Sequence, residues 1–253
     1  MSELPDAVLR YADHDDAVID VHLPAPTTAR SSTGQGTDVA RLQGRGDLVV
    51  LVHGGFWKAQ WDRTHTRPLA RALADDGFVV ATPEYRRVGA GGGWPTTGED
   101  VRRALARLPD LLEAVDVQPT RTTLVGHSAG GHLVLWLAGE VAVDRVVPLA
   151  PVCDLREAAR LGLGGGATQA LLGGGPDEVD YDPADPMVCF DDRPAADVVI
   201  VHGTADTNVP IGLSRRFVAR HPWVRLVELD CAHFELIDPR DRAYGVLLDA
   251  IRA

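Results

Sequence analysis

The chain has 253 residues, of which 45% are hydrophobic and 24% are charged, and this composition is typical of a globular protein. It carries 25 Lys and Arg against 36 Asp and Glu, so the formal net charge is −11 with neutral histidine. This balance disfavours a nucleic-acid or anionic-membrane partner, because both are bound through clustered Lys and Arg. We therefore expect the partner to be a small molecule, which the composition does not identify.

The cysteine content and the absence of long apolar runs indicate the environment of the protein. Cys153, Cys189 and Cys231 form no CxxC pair, so neither a disulfide framework nor a thiolate zinc site is expected. No apolar run approaches the length of about 18 residues that spans a membrane, and the first residues do not resemble a signal peptide. We expect a soluble, cytoplasmic protein.

The predicted elements alternate along the chain. Residues 8–24 alternate apolar and polar side chains about a DHDD turn, which predicts an antiparallel edge hairpin. Buried strands are predicted for six apolar runs, at 48–52, 77–83, 122–126, 145–151, 197–203 and 224–229. Helical spacing marks five segments, at 66–77, 99–115, 129–141, 210–222 and 239–253. This alternation predicts an α/β fold with a mainly parallel central sheet and helices on both faces.

One stretch, residues 152–196, interrupts the alternation because it contains no strand pattern. It is rich in Gly and acidic residues, and it is longer than an ordinary connection between elements. Long insertions of this kind in compact enzymes are usually lids or binding loops, so we expect a short lid or cap here. Because no repeat or linker divides the chain, we expect a single domain over residues 1–253.

The strongest chemical signal is the GxSxG sequence at residues 126–130, directly between a predicted strand and a predicted helix. At such a turn the central Ser128 is presented as a nucleophile, and small flanking residues let the two backbone arms pass closely. The following helix directs the amide of Ala129 and a positive dipole end toward any oxyanion that forms. The alternative, a tight turn in which Ser128 only caps the helix, is disfavoured by the flanking glycines.

A nucleophilic serine needs a base, and the base needs an acid to orient it. Among the nine histidines, His233 lies on a loop after the last clear strand. In sheet-based serine hydrolases the chain order is Ser, acid, His, with acid and His beyond strand ends. The first candidate acid is Asp206, which follows a predicted strand directly, and the main rival is Asp154, one strand earlier.

Three other histidines near these motifs are given structural interpretations. His127 occupies the variable position of GxSxG, and its side chain is expected to point away from the line of attack. We expect His132 to pack or cap locally, one turn into the helix after Ser128. His202 lies inside a predicted strand and is interpreted as structural.

A glycine-rich sequence, HGGFW at residues 53–57, follows the predicted strand 48–52. Its backbone amides, first those of Gly55 and Phe56, can point at the oxygen opposite Ser128. The alternative is a glycine-rich turn with a buried aromatic pair. That alternative is disfavoured because this loop and the GxSxG turn both lie at the carboxyl ends of parallel strands, where open sheets place their sites.

Cofactor and metal sites are not expected. GLGGGA at residues 162–167 satisfies GxGxxA, but it follows no clear strand, so a dinucleotide site and a dehydrogenase function are disfavoured. The sequence contains no HExxH, and no HxH with nearby carboxylates, that would indicate a metal.

With these motifs in place, the sequence resembles the α/β-hydrolase superfamily over nearly its whole length. HGGFW is similar to the HGGxW motif of kynurenine formamidases (arylformamidases) and related hormone-sensitive-lipase-like carboxylesterases, and GHSAGGHL, HGTADTNVP and AHF are similar to the same group. The resemblance implies a serine hydrolase that cleaves a small ester or an aryl formamide through an acyl- or formyl-enzyme. It implies that Ser128, Asp206 and His233 form a catalytic triad. It also implies that Gly55, Phe56 and Ala129 are the oxyanion donors.

An aryl substrate requires apolar walls, and the segment 152–196 is poor in aromatic residues. We expect other loops to supply these walls through Phe56, Trp57, Trp61, Phe234 and Trp94. Two alternatives to the formamidase remain open. One is a short-chain carboxylesterase or peptidase-like hydrolase with an unrelated substrate, and the other is an inactive binding protein of the same fold.

Overall fold

The computed structural model describes residues 3–25, 46–190 and 192–253. Within these ranges eight strands form one sheet in the order β1-β2-β4-β3-β5-β6-β7-β8. The strands are β1 (Ala7–Arg10), β2 (Val18–His22), β3 (Leu48–Val52), β4 (Val79–Pro83), β5 (Thr122–His127), β6 (Arg145–Leu149), β7 (Asp197–Gly203) and β8 (Arg225–Leu229).

The predicted edge hairpin is confirmed, because β1 and β2 pair antiparallel and β2 pairs antiparallel with β4. All other pairs in the sheet are parallel. The central strands β3 to β6 are buried at nearly every residue, since helices cover both faces and leave no side for water. The predicted α/β fold with a mainly parallel sheet is therefore confirmed.

The helices divide between the two faces of the sheet. They are α1 (Arg67–Asp75), α2 (Thr96–Glu113), α3 (Ala129–Leu137), α4 (Leu155–Arg160), α5 (Leu163–Leu172), α6 (Gly212–Arg220) and α7 (Ala243–Arg252). The apolar sides of α1 and α7 belong to one buried cluster, and those of α2, α3 and α6 belong to the other. No helix in the described ranges is both long and apolar enough to cross a membrane.

The stretch 152–196 contains two helices, α4 and α5, and an irregular segment that leads back to β7. Around the start of α5 the backbone turns through four glycines with positive φ, at positions 162, 164, 165 and 166, and the last three have non-helical dihedral angles within the bounds of α5. Glycine adopts this region without the steric cost that a Cβ brings. The glycine run therefore forms a tight loop, not the continuous first turns of a helix.

The parallel strands bring several loops to one edge of the sheet. The loops after β3, β5, β7 and β8 all lie at carboxyl ends of parallel strands, where open α/β sheets place their ligand sites. A cavity of about 610 Å³ lies elsewhere, between α2 and the first residues of β3 and β5, Leu48 and Thr122. That cavity is at the opposite edge and does not contain the motif residues.

Candidate active site

Ser128 lies at the turn between β5 and α3, with φ +56° and ψ −114°. The glycines of the motif are required by close backbone approaches. A Cβ on Gly126 would overlap the carbonyl oxygen of Gly130, and one on Gly130 would overlap that of Val52. The Ser128 side chain forms no capping hydrogen bond to the described part of α3. Ser128 is therefore held in a strained turn and does not serve as a helix cap.

His233 and Asp206 form a buried pair. The Nδ1 atom of His233 lies 2.6 Å from Oδ2 of Asp206, and the two residues are only 3% and 7% exposed. Oδ1 of Asp206 accepts the backbone amides of Asn208 at 2.8 Å and Val209 at 2.9 Å. Burial raises the pKa of Asp206, but hydrogen bonds from His202 and His233 outweigh it and hold the pKa well below its usual range. Asp206 therefore remains ionised and orients the imidazole.

The rival acid, Asp154, is engaged elsewhere. It is the N-cap of α4, where Oδ1 accepts the amide of Glu157 at 2.9 Å. Its Oδ2 forms an ion pair with Arg216 at 2.9 Å. The structure pairs Asp206, and not Asp154, with His233.

His127 contacts the loop that carries His233, a contact that the sequence does not predict. Its Nε2 lies 3.1 Å from the carbonyl oxygen of His233, and the two rings are 4.5 Å apart between centroids. Burial, followed by the nearby charge of His233, lowers the pKa of His127 well below its usual value. His127 is therefore neutral and supports the His233 loop.

The HGGFW loop packs against the Ser128 turn. A Cβ on Gly54 would lie 2.8 Å from the carbonyl oxygen of His127 and 3.1 Å from Cβ of Ser128. Gly55 and Phe56 both have positive φ, +106° and +51°. In the described part of the chain, the amides of Gly55 and Phe56 donate to no acceptor. The amide of Ala129 belongs to the first turn of α3, where a backbone amide has no acceptor within the helix. The three amides predicted as oxyanion donors are therefore available beside Ser128.

A cluster of buried polar side chains holds the first residues of this loop in place. His53 is fully buried, with Nδ1 2.8 Å from the Gly54 carbonyl oxygen and Nε2 2.8 Å from Oε1 of Glu84. Its ring stacks on Tyr85 at 4.3 Å. Burial raises the pKa of Glu84, but hydrogen bonds from His53 and the Arg63 amide lower it overall. The start of the loop is therefore held by the contact of His53 with the ionised Glu84 carboxylate.

The aromatic residues expected in the pocket wall differ in exposure. Trp61 is 48% exposed and Phe234 is 54% exposed, and the ring of Phe234 lies 5.1 Å from that of His233. Trp57 has no exposed surface, because its ring packs edge-on against His132 at 5.2 Å. The expectation for Trp57 is therefore wrong, since it supports the loop from inside. Trp94 is partly buried and packs against Trp136 at 4.8 Å.

The insertion contacts both the HGGFW loop and the helix after Ser128. Nζ of Lys58 donates to the Gly164 carbonyl at 2.6 Å, and a Cβ on Gly164 would lie 2.7 Å from the Phe56 ring. On α3, Nε2 of His132 lies 2.8 Å from the carbonyl oxygen of Ala184. The insertion thus packs directly against the predicted oxyanion loop.

This arrangement can perform nucleophilic acyl transfer. At one edge of the sheet it places a serine in a strained turn, an imidazole held by an ionised carboxylate, and backbone amides at a helix N-terminus. The described residues include no group of three or more His, Cys, Asp or Glu side chains arranged to hold a metal ion.

Comparisons of the sequence match a protein family and a curated esterase relative. Residues 40–220 match the BD-FAE family. A segment of 92 residues is 32% identical to the probable carboxylic ester hydrolase LipM of Mycobacterium tuberculosis, covering 36% of this chain and 21% of that protein. The chain therefore spans about a fifth of the length of this curated relative.

Solved structures of esterases superpose on nearly the whole chain. A tributyrin phosphonate-inhibited esterase B from Lactobacillus rhamnosis has a TM-score of 0.75 at 17% identity, covering 98% of this chain and 85% of that chain. The butyrate-bound esterase Est2 of Thermogutta terrifontis has a TM-score of 0.71 at 20% identity, covering 97% and 91%. At these identities the likeness shows the α/β-hydrolase fold.

Proposed function

Because the chain belongs to the BD-FAE family, we propose that it is a serine carboxylesterase that hydrolyses small esters. The observation that carries this proposal is the buried His233–Asp206 pair at 2.6 Å on the loops beside the Ser128 turn. A binding protein of the same fold has no use for a serine at φ +56° or for unpaired amides next to it.

The reaction follows from the roles of these groups. Oγ of Ser128 attacks the ester carbonyl carbon while Nε2 of His233 accepts the hydroxyl proton. Asp206 holds Nδ1–H of His233 and stabilises the imidazolium that forms. The carbonyl oxygen becomes an oxyanion that accepts hydrogen bonds from three amides, those of Gly55, Phe56 and Ala129. His233 then protonates the leaving alcohol, and water activated by the same imidazole hydrolyses the acyl-enzyme.

The substrate is proposed to be a small ester, of the acetyl or feruloyl type that gives the family its name. Trp61 and Phe234 are exposed aromatic side chains that can contact an aryl or alkyl group. We also propose that residues 152–196 act as a cap, because Gly164 lies against Phe56.

Formamidase activity remains a second candidate, carried by the HGGFW sequence alone. The family and the relative LipM support the carboxylesterase alternative better than the formamidase. Assays of N-formylkynurenine and p-nitrophenyl esters side by side decide between them. A kcat/KM for the formamide far below that for acetate and butyrate esters excludes the formamidase.

The proposed function is tested with the Ser128→Ala variant. We expect the wild type to react with a fluorophosphonate probe and to hydrolyse p-nitrophenyl acetate. The variant should not label and should lose about 10⁶ in turnover, because removal of such a nucleophile leaves only binding and oxyanion stabilisation. Retention of more than a few per cent of activity contradicts Ser128 as the nucleophile.

A further inference from the structure

A second group of buried polar side chains lies next to Asp206. His202 is near the end of β7 and Ser214 is in α6, and both are fully buried. Nδ1 of His202 lies 2.7 Å from Oγ of Ser214. Nε2 of His202 lies 2.9 Å from the carbonyl oxygen of Val209 and 3.4 Å from Oδ2 of Asp206.

These contacts determine which ring nitrogen of His202 carries the hydrogen when the ring has only one. The Val209 carbonyl oxygen and the Asp206 carboxylate can only accept, so Nε2 must carry a hydrogen. Nδ1 is then the unprotonated nitrogen, and the Ser214 hydroxyl donates to it. Ser214 therefore selects the tautomer in which Nε2–H of His202 donates to the Val209 carbonyl, with Oδ2 of Asp206 3.4 Å from the same nitrogen.

The carboxylate of Asp206 is held from three sides. Two backbone amides of its own turn bind Oδ1, so they fix one end of the carboxylate. Oδ2 carries the contact to His233 at 2.6 Å, and His202 approaches the same atom. His202 is thus the side chain that restrains the oxygen on which the orientation of His233 depends.

We propose that His202 and Ser214 are positioning residues for the hydrolysis, in which Ser214 fixes the tautomer of His202 and His202 fixes Oδ2 of Asp206 against His233. The proposal rests on the proposed function, because it assigns a role within that reaction. It replaces the purely structural interpretation that the strand position of His202 suggests.

The charged groups around His202 are few. Across the sheet, Glu228 of β8 pairs with His202 in register, and Arg215 of α6 neutralises it at 2.6 Å. Cys153, which follows β6, lies 4.0 Å from Ser214, and burial raises the pKa of its thiol so that it stays neutral. The hydrogen bond from His202 is among the causes that keep the pKa of Asp206 low. The negative charge nearest to His202 is therefore the catalytic carboxylate itself.

The test compares His202→Phe, His202→Gln and Ser214→Ala by steady-state kinetics on p-nitrophenyl acetate. Each variant is normalised to its active sites by fluorophosphonate titration. We expect His202→Phe to lower kcat about tenfold with KM within about twofold, because the N–H group next to the charged Asp206 carboxylate is lost. The acid limb of the kcat/KM profile should move to higher pH, because a carboxylate with fewer donors holds the His233 imidazolium more tightly.

The conservative variant separates positioning from packing. The amide of Gln can donate in place of Nε2–H, so His202→Gln should recover most of kcat and the original acid limb. Ser214→Ala should give an intermediate loss. The matched control is His22→Phe, which replaces a buried histidine on β2, the strand next to the edge strand β1, and should leave kcat and the acid limb unchanged.

Two results overturn the proposal. One is a His202→Phe variant whose kcat per active site and acid limb equal those of the wild type. The other is a ¹⁵N spectrum of histidine-labelled protein in which His202 carries its proton on Nδ1. The spectrum needs no substrate, so it tests this inference separately from the proposed function. If the protein reacts with no fluorophosphonate probe and hydrolyses no ester, the proposed function is contradicted, and the tautomer of His202 still tests this inference.

Discussion

His132 is a buried histidine that the proposed reaction does not use. Nε2–H donates to the Ala184 carbonyl, whereas Nδ1 has no hydrogen-bond partner among the described residues. Burial lowers the pKa of His132 to about 4, and the hydrogen bond to Ala184 only partly opposes that shift. A second proton would have no acceptor at Nδ1, so the ring is neutral in the folded protein.

This pKa predicts acid destabilisation. In the unfolded chain the histidine titrates near its ordinary value of about 6.5, so between about 6.5 and 4 the unfolded state binds more protons. The stability that the folded protein gains from a neutral His132 is therefore fully present above pH 6.5 and is lost as the pH falls from about 6.5 to about 4. The loss in the free energy of unfolding is about 3 kcal/mol at most.

The His132→Gln variant keeps a donor for Ala184 and removes the titration. Urea unfolding at pH 7, 5.5 and 4 should show a smaller acid-induced loss of stability in this variant than in the wild type. An identical pH dependence in the two proteins would rule out His132 as the cause.

Individual site residues were predictable where local sterics determine them. Gly126 and Gly130 flank Ser128 because a Cβ at either position would meet backbone, and that requirement is visible in the sequence. The contact of His127 with His233 was not predictable, since 106 positions separate the two residues. The burial of Trp57 also depends on a partner far along the chain, His132.

At the scale of elements, the glycine loop at the start of α5 contacts the predicted oxyanion loop. Gly164 has φ +58° and lies against the Phe56 ring, whereas Gly165 has φ +66° and a Cβ added to it would meet no atom within 4 Å. The two glycines therefore share a backbone conformation and differ in what they touch. Replacing each by alanine separates the cost of backbone strain from the cost of the contact.

We expect Gly164→Ala to lower kcat/KM for p-nitrophenyl acetate by about tenfold, because displacement of Phe56 misplaces an oxyanion donor. Gly165→Ala carries a similar backbone strain and should retain near wild-type kcat/KM. Equal activities of the two variants would show that the contact with Phe56 does not matter for catalysis.

Elements with a strong apolar pattern were predicted closely, and the strands 48–52 and 197–203 have those bounds in the structure. The helix predicted over 129–141 ends at Leu137, and residues 138–140 form a turn. The helices α4 and α5 were not predicted. Their segment contains a glycine run of low helix propensity, and they are stabilised by contacts with the rest of the molecule, such as those of Leu155 and Leu171 in the core.

At the scale of the whole molecule, the net charge of −11 creates a field that acts on any charged substrate. Salt weakens such a field, because the Debye length falls to about 10 Å at 0.1 M. Raising NaCl should increase kcat/KM for an anionic ester, decrease it for a cationic ester, and leave the neutral p-nitrophenyl acetate nearly unchanged. The same dependence of kcat/KM on NaCl concentration for all three esters would contradict long-range steering by the net charge.

The order of the strands in the sheet also has a consequence for biosynthesis. The proposed triad is assembled from the loops after β5, β7 and β8, so no N-terminal portion of the chain that stops before His233 contains the complete site. A ribosome releases the chain from its N-terminus onward, and domains fold as units during synthesis. Under the proposed function, the nascent protein therefore contains Ser128 before its proposed base, His233, has been synthesised. We expect hydrolytic activity only after β8 has joined the sheet and the His233 loop has folded.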